Sequence, residues 1–120
     1  MIPLDVEIYV ALEPIDLRIS FDLLSGMVRD RMKGDPKSGS IYVFFGKRRD
    51  KLKALFYDRS GFCILYKRLC QGTFRIPQAM TPHALNVRLE EEELQVLLEG
   101  LPLDEKKRKK CYTKKATLLH

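Results

Sequence analysis

The sequence predicts an α+β domain: a mainly antiparallel sheet with a central β-hairpin, one N-terminal amphipathic helix and one C-terminal helix. Three observations carry this. Short runs of β-branched, aromatic and aliphatic residues are separated by turn residues. A single apolar stripe at helical spacing (Leu17, Phe21, Leu24, Val28, Met32) lies between the first two runs. A leucine segment headed by four carboxylates, Glu90 to Glu93, closes the patterned part of the chain. At 120 residues with 45% hydrophobic and 32% charged content, the chain suits one domain with its own core and argues against disorder. Residues 1–103 read as that single domain. Residues 104–120 have no apolar period, contain Lys106-Lys107-Arg108-Lys109-Lys110, and read as a basic, disordered tail.

The elements follow in order. Residues 6–12 form a strand that ends at Glu13-Pro14. Asp16 then caps a helix carrying the stripe, with Met27 beside it. Gly34 is placed to cap its C-terminus, and Asp35-Pro36 forbids continuation. Residues 35–40 are a loop by composition, residues 41–45 are apolar throughout and suit a buried strand, and residues 46–50 are a turn bearing Lys47, Arg48 and Arg49. The clearest hairpin signal comes next. Two strand-like runs, 51–57 and 62–69, flank Asp58-Arg59-Ser60-Gly61, where Asp starts the turn and Gly supplies a positive φ. Residues 73–76 read as a short strand ended by Pro77, and 84–89 as a last strand. Residues 90–99 read as a helix with Leu94, Leu97 and Leu98 on one side, stopped by Gly100 and Pro102.

If Tyr57 pairs with Phe62, the hairpin's two faces are determined by alternation. One face carries Tyr57/Phe62, Leu55/Ile64, Lys53/Tyr66 and Lys51/Arg68. The other carries Phe56/Cys63, Ala54/Leu65 and Leu52/Lys67. Away from the turn the first face becomes a group of Lys51, Lys53 and Arg68 beside Tyr66, close to the Lys47-Arg48-Arg49 turn.

Charge gives this group its meaning. The net +6 is segmental: residues 1–34 carry −2, residues 35–77 +7, residues 78–103 −4 and residues 104–120 +5. Clustered Lys and Arg attract phosphates at long range and release counterions on contact. The alternative is that strand-end cations merely keep a sheet edge soluble. No basic recognition helix follows a turn, so base-specific reading is not expected.

Catalytic and cofactor chemistry is not expected. Neither glycine-rich phosphate motif occurs. Cys63 and Cys70 are seven apart with no C-x-x-C, and His83 and His120 are distant, so no metal set is expected. Cys63 reads as a small core residue and His83 as a solvated loop residue. Asp50 and Asp58 fall at opposite ends of one strand, too far apart to share a metal. Three cysteines are too few for a disulfide framework. Apolar runs stop at five residues and no signal sequence opens the chain, so a soluble cytoplasmic protein without membrane association is expected.

An ordered series of blocks carries a family resemblance. These are Asp16-Leu17-Arg18 with Phe21-Asp22, Asp35-Pro36-x-Ser38-Gly39, Val43-Phe44, and Lys47-Arg48-Arg49-Asp50-Lys51-Leu52-Lys53-x-Leu55. They continue with Asp58, Gly61-Phe62-Cys63, Lys67-Arg68-Leu69, Gly72-x-Phe74, Pro77 and Leu97-Leu98-Glu99-Gly100. Over about residues 1–103 the chain resembles the accessory protein encoded by the second open reading frame of insertion sequence 66 elements. That protein, often called TnpB, is unrelated to the RNA-guided nucleases of the same label. The family commonly has tryptophan after Leu55 and just before Pro77, where this chain has Phe56-Tyr57 and Ile76. The resemblance implies a bacterial mobile-element protein acting beside a transposase and a small helix-turn-helix protein. The joint expectation is a non-enzymatic transposition factor without cofactor. It would contact transposon DNA through Lys47, Arg48, Arg49, Lys51, Lys53, Lys67 and Arg68, with Tyr66 stacking. The alternative is a scaffold for the transposase that makes no direct DNA contact.

Overall fold

A mixed five-stranded sheet in the order β4-β3-β2-β1-β5 organises the chain. The computed structural model describes residues 6–79 and 81–100. The elements are β1 (Ile8–Ala11), α1 (Phe21–Asp30), β2 (Ile41–Phe45), β3 (Lys51–Asp58), β4 (Gly61–Arg68), β5 (Asn86–Leu89) and α2 (Glu91–Glu99). The expected tail at 104–120 and the boundary at residue 103 lie outside the described residues.

Three of the four strand pairings are antiparallel, but the central pair, β1 with β2, is parallel. A parallel neighbour needs a crossover, and α1 with its flanking segments supplies it. The two faces separate by alternation. Ile8, Val10, Ile41, Val43, Phe45, Leu52, Ala54 and Phe56 join Leu94 and Leu97 of α2. Ala11, Tyr42, Phe44 and Leu55 join Leu24 and Val28 of α1. All five residues of β2 are buried, as expected of a strand covered on both faces.

Helix α1 starts later than its stripe predicts. Asp16 does not cap it; the helix begins at Phe21 behind Ser20. Instead Ile15 donates its N–H to the Phe45 carbonyl at 2.8 Å and bridges Gly46 in parallel, so the backbone ahead of residue 20 is held against the end of β2. Leu17 still reaches the same core as Leu24, Val28 and Met32, whereas Phe21 is left 43% exposed.

At the other end, the left-handed residue is Lys33 (φ 57°), and Gly34 donates its N–H to the Val28 carbonyl at 2.9 Å. Glycine is required at 34 for a different reason. A Cβ there would lie 2.6 Å from the Tyr42 hydroxyl and 2.9 Å from its ring. Tyr42 is buried, stacks on Tyr9 at 5.7 Å and donates to the Asp35 carbonyl, so its ring has little room to retreat. Gly34→Ala is therefore expected to cost about 1–3 kcal/mol by overpacking, measurable by urea unfolding.

The hairpin pairs Tyr57 with Phe62 and Lys51 with Arg68 without a bulge. Its turn differs from expectation in one respect: Arg59, not Gly61, takes the left-handed conformation (φ 52°). Residues 73–76 do not form a strand within the sheet. The segment crosses the end of the β2–β3 turn, with Phe74 N–H donating to the Arg49 carbonyl at 2.6 Å and Leu69 N–H to the Asp50 carbonyl at 2.7 Å. Phe74 inserts into the α2-side core and packs on Phe45 at 5.9 Å between ring centres. Helix α2 opens with a reciprocal capping box between Glu90 and Glu93 and closes at Gly100 (φ 75°).

Candidate nucleic-acid interface

The β2–β3 turn is built on a narrow frame. Gly46 N–H donates to the Lys51 carbonyl and Arg49 N–H to the Gly46 carbonyl, with Arg49 at φ 62°. Residues 46–50 carry three consecutive cations, all exposed. Because residues 15–18 run along the same end of the sheet, a cavity of about 200 Å³ opens between them and the turn. Lys47, Arg48, Lys51 and Tyr66 line it from the sheet side, and Asp16, Leu17 and Arg18 from the other.

The eight predicted residues are thus divided. Lys47, Arg48, Lys51 and Tyr66 meet in the cavity. Arg49 is exposed on the same turn, and Arg68 is exposed opposite Lys51 on the same sheet face. Lys53 does not present its charge to solvent. Only 8% exposed, it donates from Nζ to the Ile19 carbonyl at 2.6 Å and lies 4.9 Å from the centre of the Tyr66 ring. Lys67 points to the opposite face, where its Nζ donates to the Leu98 carbonyl at 2.7 Å. A cation near the end of α2 suits the negative end of that helix. Neither lysine is among the residues that line the cavity.

Sequence reading missed the contribution of Asp16 and Arg18, which it assigned to a helix. Arg18 donates to Asp16 from its backbone N–H at 3.0 Å, from Nε at 2.9 Å and from Nη2 at 2.5 Å. These hydrogen bonds, and secondarily the charges of Arg18 and Lys47, hold the Asp16 carboxyl down at about 2, from 3.8. A depressed carboxyl contributes its ion pair above its ordinary value and loses it as pH falls through the lowered one. Asp16 is therefore expected to titrate near pH 2 by carboxyl-carbon NMR, and to return toward 3.8 in Arg18→Ala. The cavity thus carries four cations and two carboxylates, Asp16 and Asp50. Among the described residues, no three His, Cys, Asp or Glu side chains converge on a metal-sized site, and no helix is long and apolar enough to cross a membrane. Cys63 is half-buried against the α2-side core and His83 is exposed in a loop.

Residues 6–108 match the family described as IS66 Orf2 like protein. The chain belongs to the IS66 Orf2-like family. Similar proteins from Sinorhizobium fredii (strain NBRC 101917 / NGR234) include "Uncharacterized protein y4jC", 35% identical over 104 residues, covering 87% of this chain and 86% of that protein. "Uncharacterized protein y4hO" from the same strain is 30% identical over 97 residues, covering 81% and 82%. No solved structure matches. Membership associates this IS66 Orf2-like protein with the transposition of an insertion sequence. The matched span contains every residue of the cavity, including the Asp16-Leu17-Arg18 block that could have signalled its second wall.

Proposed function

We propose that the protein is a non-catalytic accessory factor that contacts the DNA of its own insertion sequence through the cavity between residues 15–18 and the 46–50 turn. The observation that carries this reading is the meeting of Lys47, Arg48 and Lys51 around one solvent-open cavity beside an exposed tyrosine. Arg49 and Arg68 extend the cationic surface on the same turn and sheet face. Phosphates bind such a surface by displacing condensed counterions, so affinity falls steeply with salt. The test is binding of element-end duplex against random duplex over a salt titration. Affinity that does not change with salt removes the reading. Incubation with Mg²⁺ is expected to leave the DNA uncut. The site of action would be the cytoplasm, beside the element's transposase and small helix-turn-helix protein.

A second reading has its own observation. Pro77, Leu89, Val96 and Leu97 line an apolar groove of about 350 Å³ with Glu92 and Glu93 at its rim, and Val96 is 72% exposed. A scaffold for the transposase would use this side of the molecule, since an apolar centre with a polar rim is the usual anatomy of a protein interface. Co-purification with transposase from nuclease-treated extract at high salt, abolished in Val96→Lys, would favour it over DNA bridging.

A further inference from the structure

We infer that the cavity receives one unpaired nucleotide, so that the DNA is single-stranded where this protein grips it. The inference rests on the phosphate-contact reading above and specifies the form of DNA, which that reading leaves open. Size is the first argument. At about 200 Å³ the cavity is smaller than the roughly 300–1,000 Å³ that drug-sized ligands occupy, which suits a single base, with its deoxyribose and phosphate left at the open side among the turn cations.

The second argument is the tyrosine. Tyr66 is 55% exposed and lines the cavity, yet its ring is not loose. The Lys53 ammonium, anchored on the Ile19 carbonyl, sits 4.9 Å from the ring centre and holds it by a cation–π contact. A ring fixed on one side and open on the other is a platform for a base, and cationic grooves with such platforms are how single strands are bound without sequence preference.

Charge supplies the third argument. A duplex presents one negative charge per about 1.7 Å of axis, so a wall built only for its backbone gains nothing from carboxylates. Here Asp16 and Asp50 share the cavity with Arg18, Lys47, Arg48 and Lys51. Arg18 holds Asp16 through Nε and Nη2, whereas no side chain among the described residues pairs with the Asp50 carboxylate. A carboxylate repels phosphate but accepts from an exocyclic amino group, as acidic side chains do at cytosine. In duplex DNA one hydrogen of that amino group is paired and only the other faces the major groove; in an unpaired nucleotide both are free to bond. The turn cations would then take the phosphate, Tyr66 the face of the base, and the Asp50 carboxylate its edge.

Fluorescence anisotropy of the full chain, with one labelled strand used alone and annealed to its complement at matched salt, tests this. The single strand is expected to bind about tenfold more tightly. Tyr66→Ala is expected to cost the single strand about tenfold, within the range for removing one stacked base. It should cost the duplex clearly less and leave both salt slopes unchanged, while Tyr66→Phe binds as the parent does. The cations at Lys106–Lys110 are present in every variant and cancel when variants are compared on the same form of DNA. Equal affinity for the two forms, or a Tyr66→Ala chain that binds single strand normally, overturns the inference and leaves the phosphate reading standing. Failure to bind either form at low salt overturns the reading on which it rests.

Discussion

Phe74→Ala is expected to destabilise the protein by about 3–5 kcal/mol, the range for truncating a fully buried aromatic. Phe74 is 1% exposed and fills the α2-side core against Phe45. It is also the anchor of the segment that crosses beneath the β2–β3 turn. Its own N–H is bonded to the Arg49 carbonyl, so the ring and the backbone fasten the same stretch of chain. Removing the ring leaves a cavity that the surrounding strands cannot close, because β2 and β3 are held by pairing on both sides. A change of this size is a large share of the roughly 5–15 kcal/mol by which domains are stable. Urea unfolding should show a much lower midpoint. Phe21→Ala is the control: that ring is 43% exposed, and its loss should cost clearly less, about 1–2 kcal/mol, since only part of its area is withdrawn from water. Equal costs at the two positions would mean that residues 69–77 are not seated as described.

The combined substitution Lys47→Ala, Arg48→Ala and Lys51→Ala should weaken DNA binding by about 10- to 100-fold at low salt, taking at most about 1 kcal/mol for each cation. The slope of log affinity against log salt should fall by about one for each phosphate no longer neutralised, hence by about three. Lys67→Ala provides the contrast. Lys67 carries the same charge on the neighbouring strand, but its ammonium is spent on the Leu98 carbonyl on the far face. Its removal should leave the salt slope unchanged and register as a small loss of stability. If Lys67→Ala flattens the slope as much as Lys51→Ala, binding follows net charge and not the cavity.

These contrasts separate local from distant information. The hairpin register was legible because it depends on neighbours in sequence: a short turn and strict alternation determine which side chain faces which. The helix stripe was legible for the same reason, and Leu24 and Val28 are buried as their spacing predicts. The start of α1 was not, because Asp16 is a good capping residue by type. Only the pairing of Ile15 with the end of β2 shows that its segment is held in another conformation. The strand expected at 73–76 failed similarly. Its residues suit a strand, but they lie across the turn, where Phe74 is bound to the Arg49 carbonyl.

What the sequence by itself determined about this protein is its class of fold, the hairpin with its register, the family, and the concentration of positive charge in residues 35–77. Tertiary structure alone decided how that charge is used. It brought Arg18 and Asp16 to face the turn, made the central strand pair parallel, and withdrew two lysines from the cationic group. The physical reason is that a lysine's role depends on what its ammonium meets. Lys53 meets the Ile19 carbonyl 34 residues earlier in the chain, and Lys67 meets the Leu98 carbonyl 31 residues later. No local pattern encodes either contact, because each exists only once the helices have settled on opposite faces of the sheet.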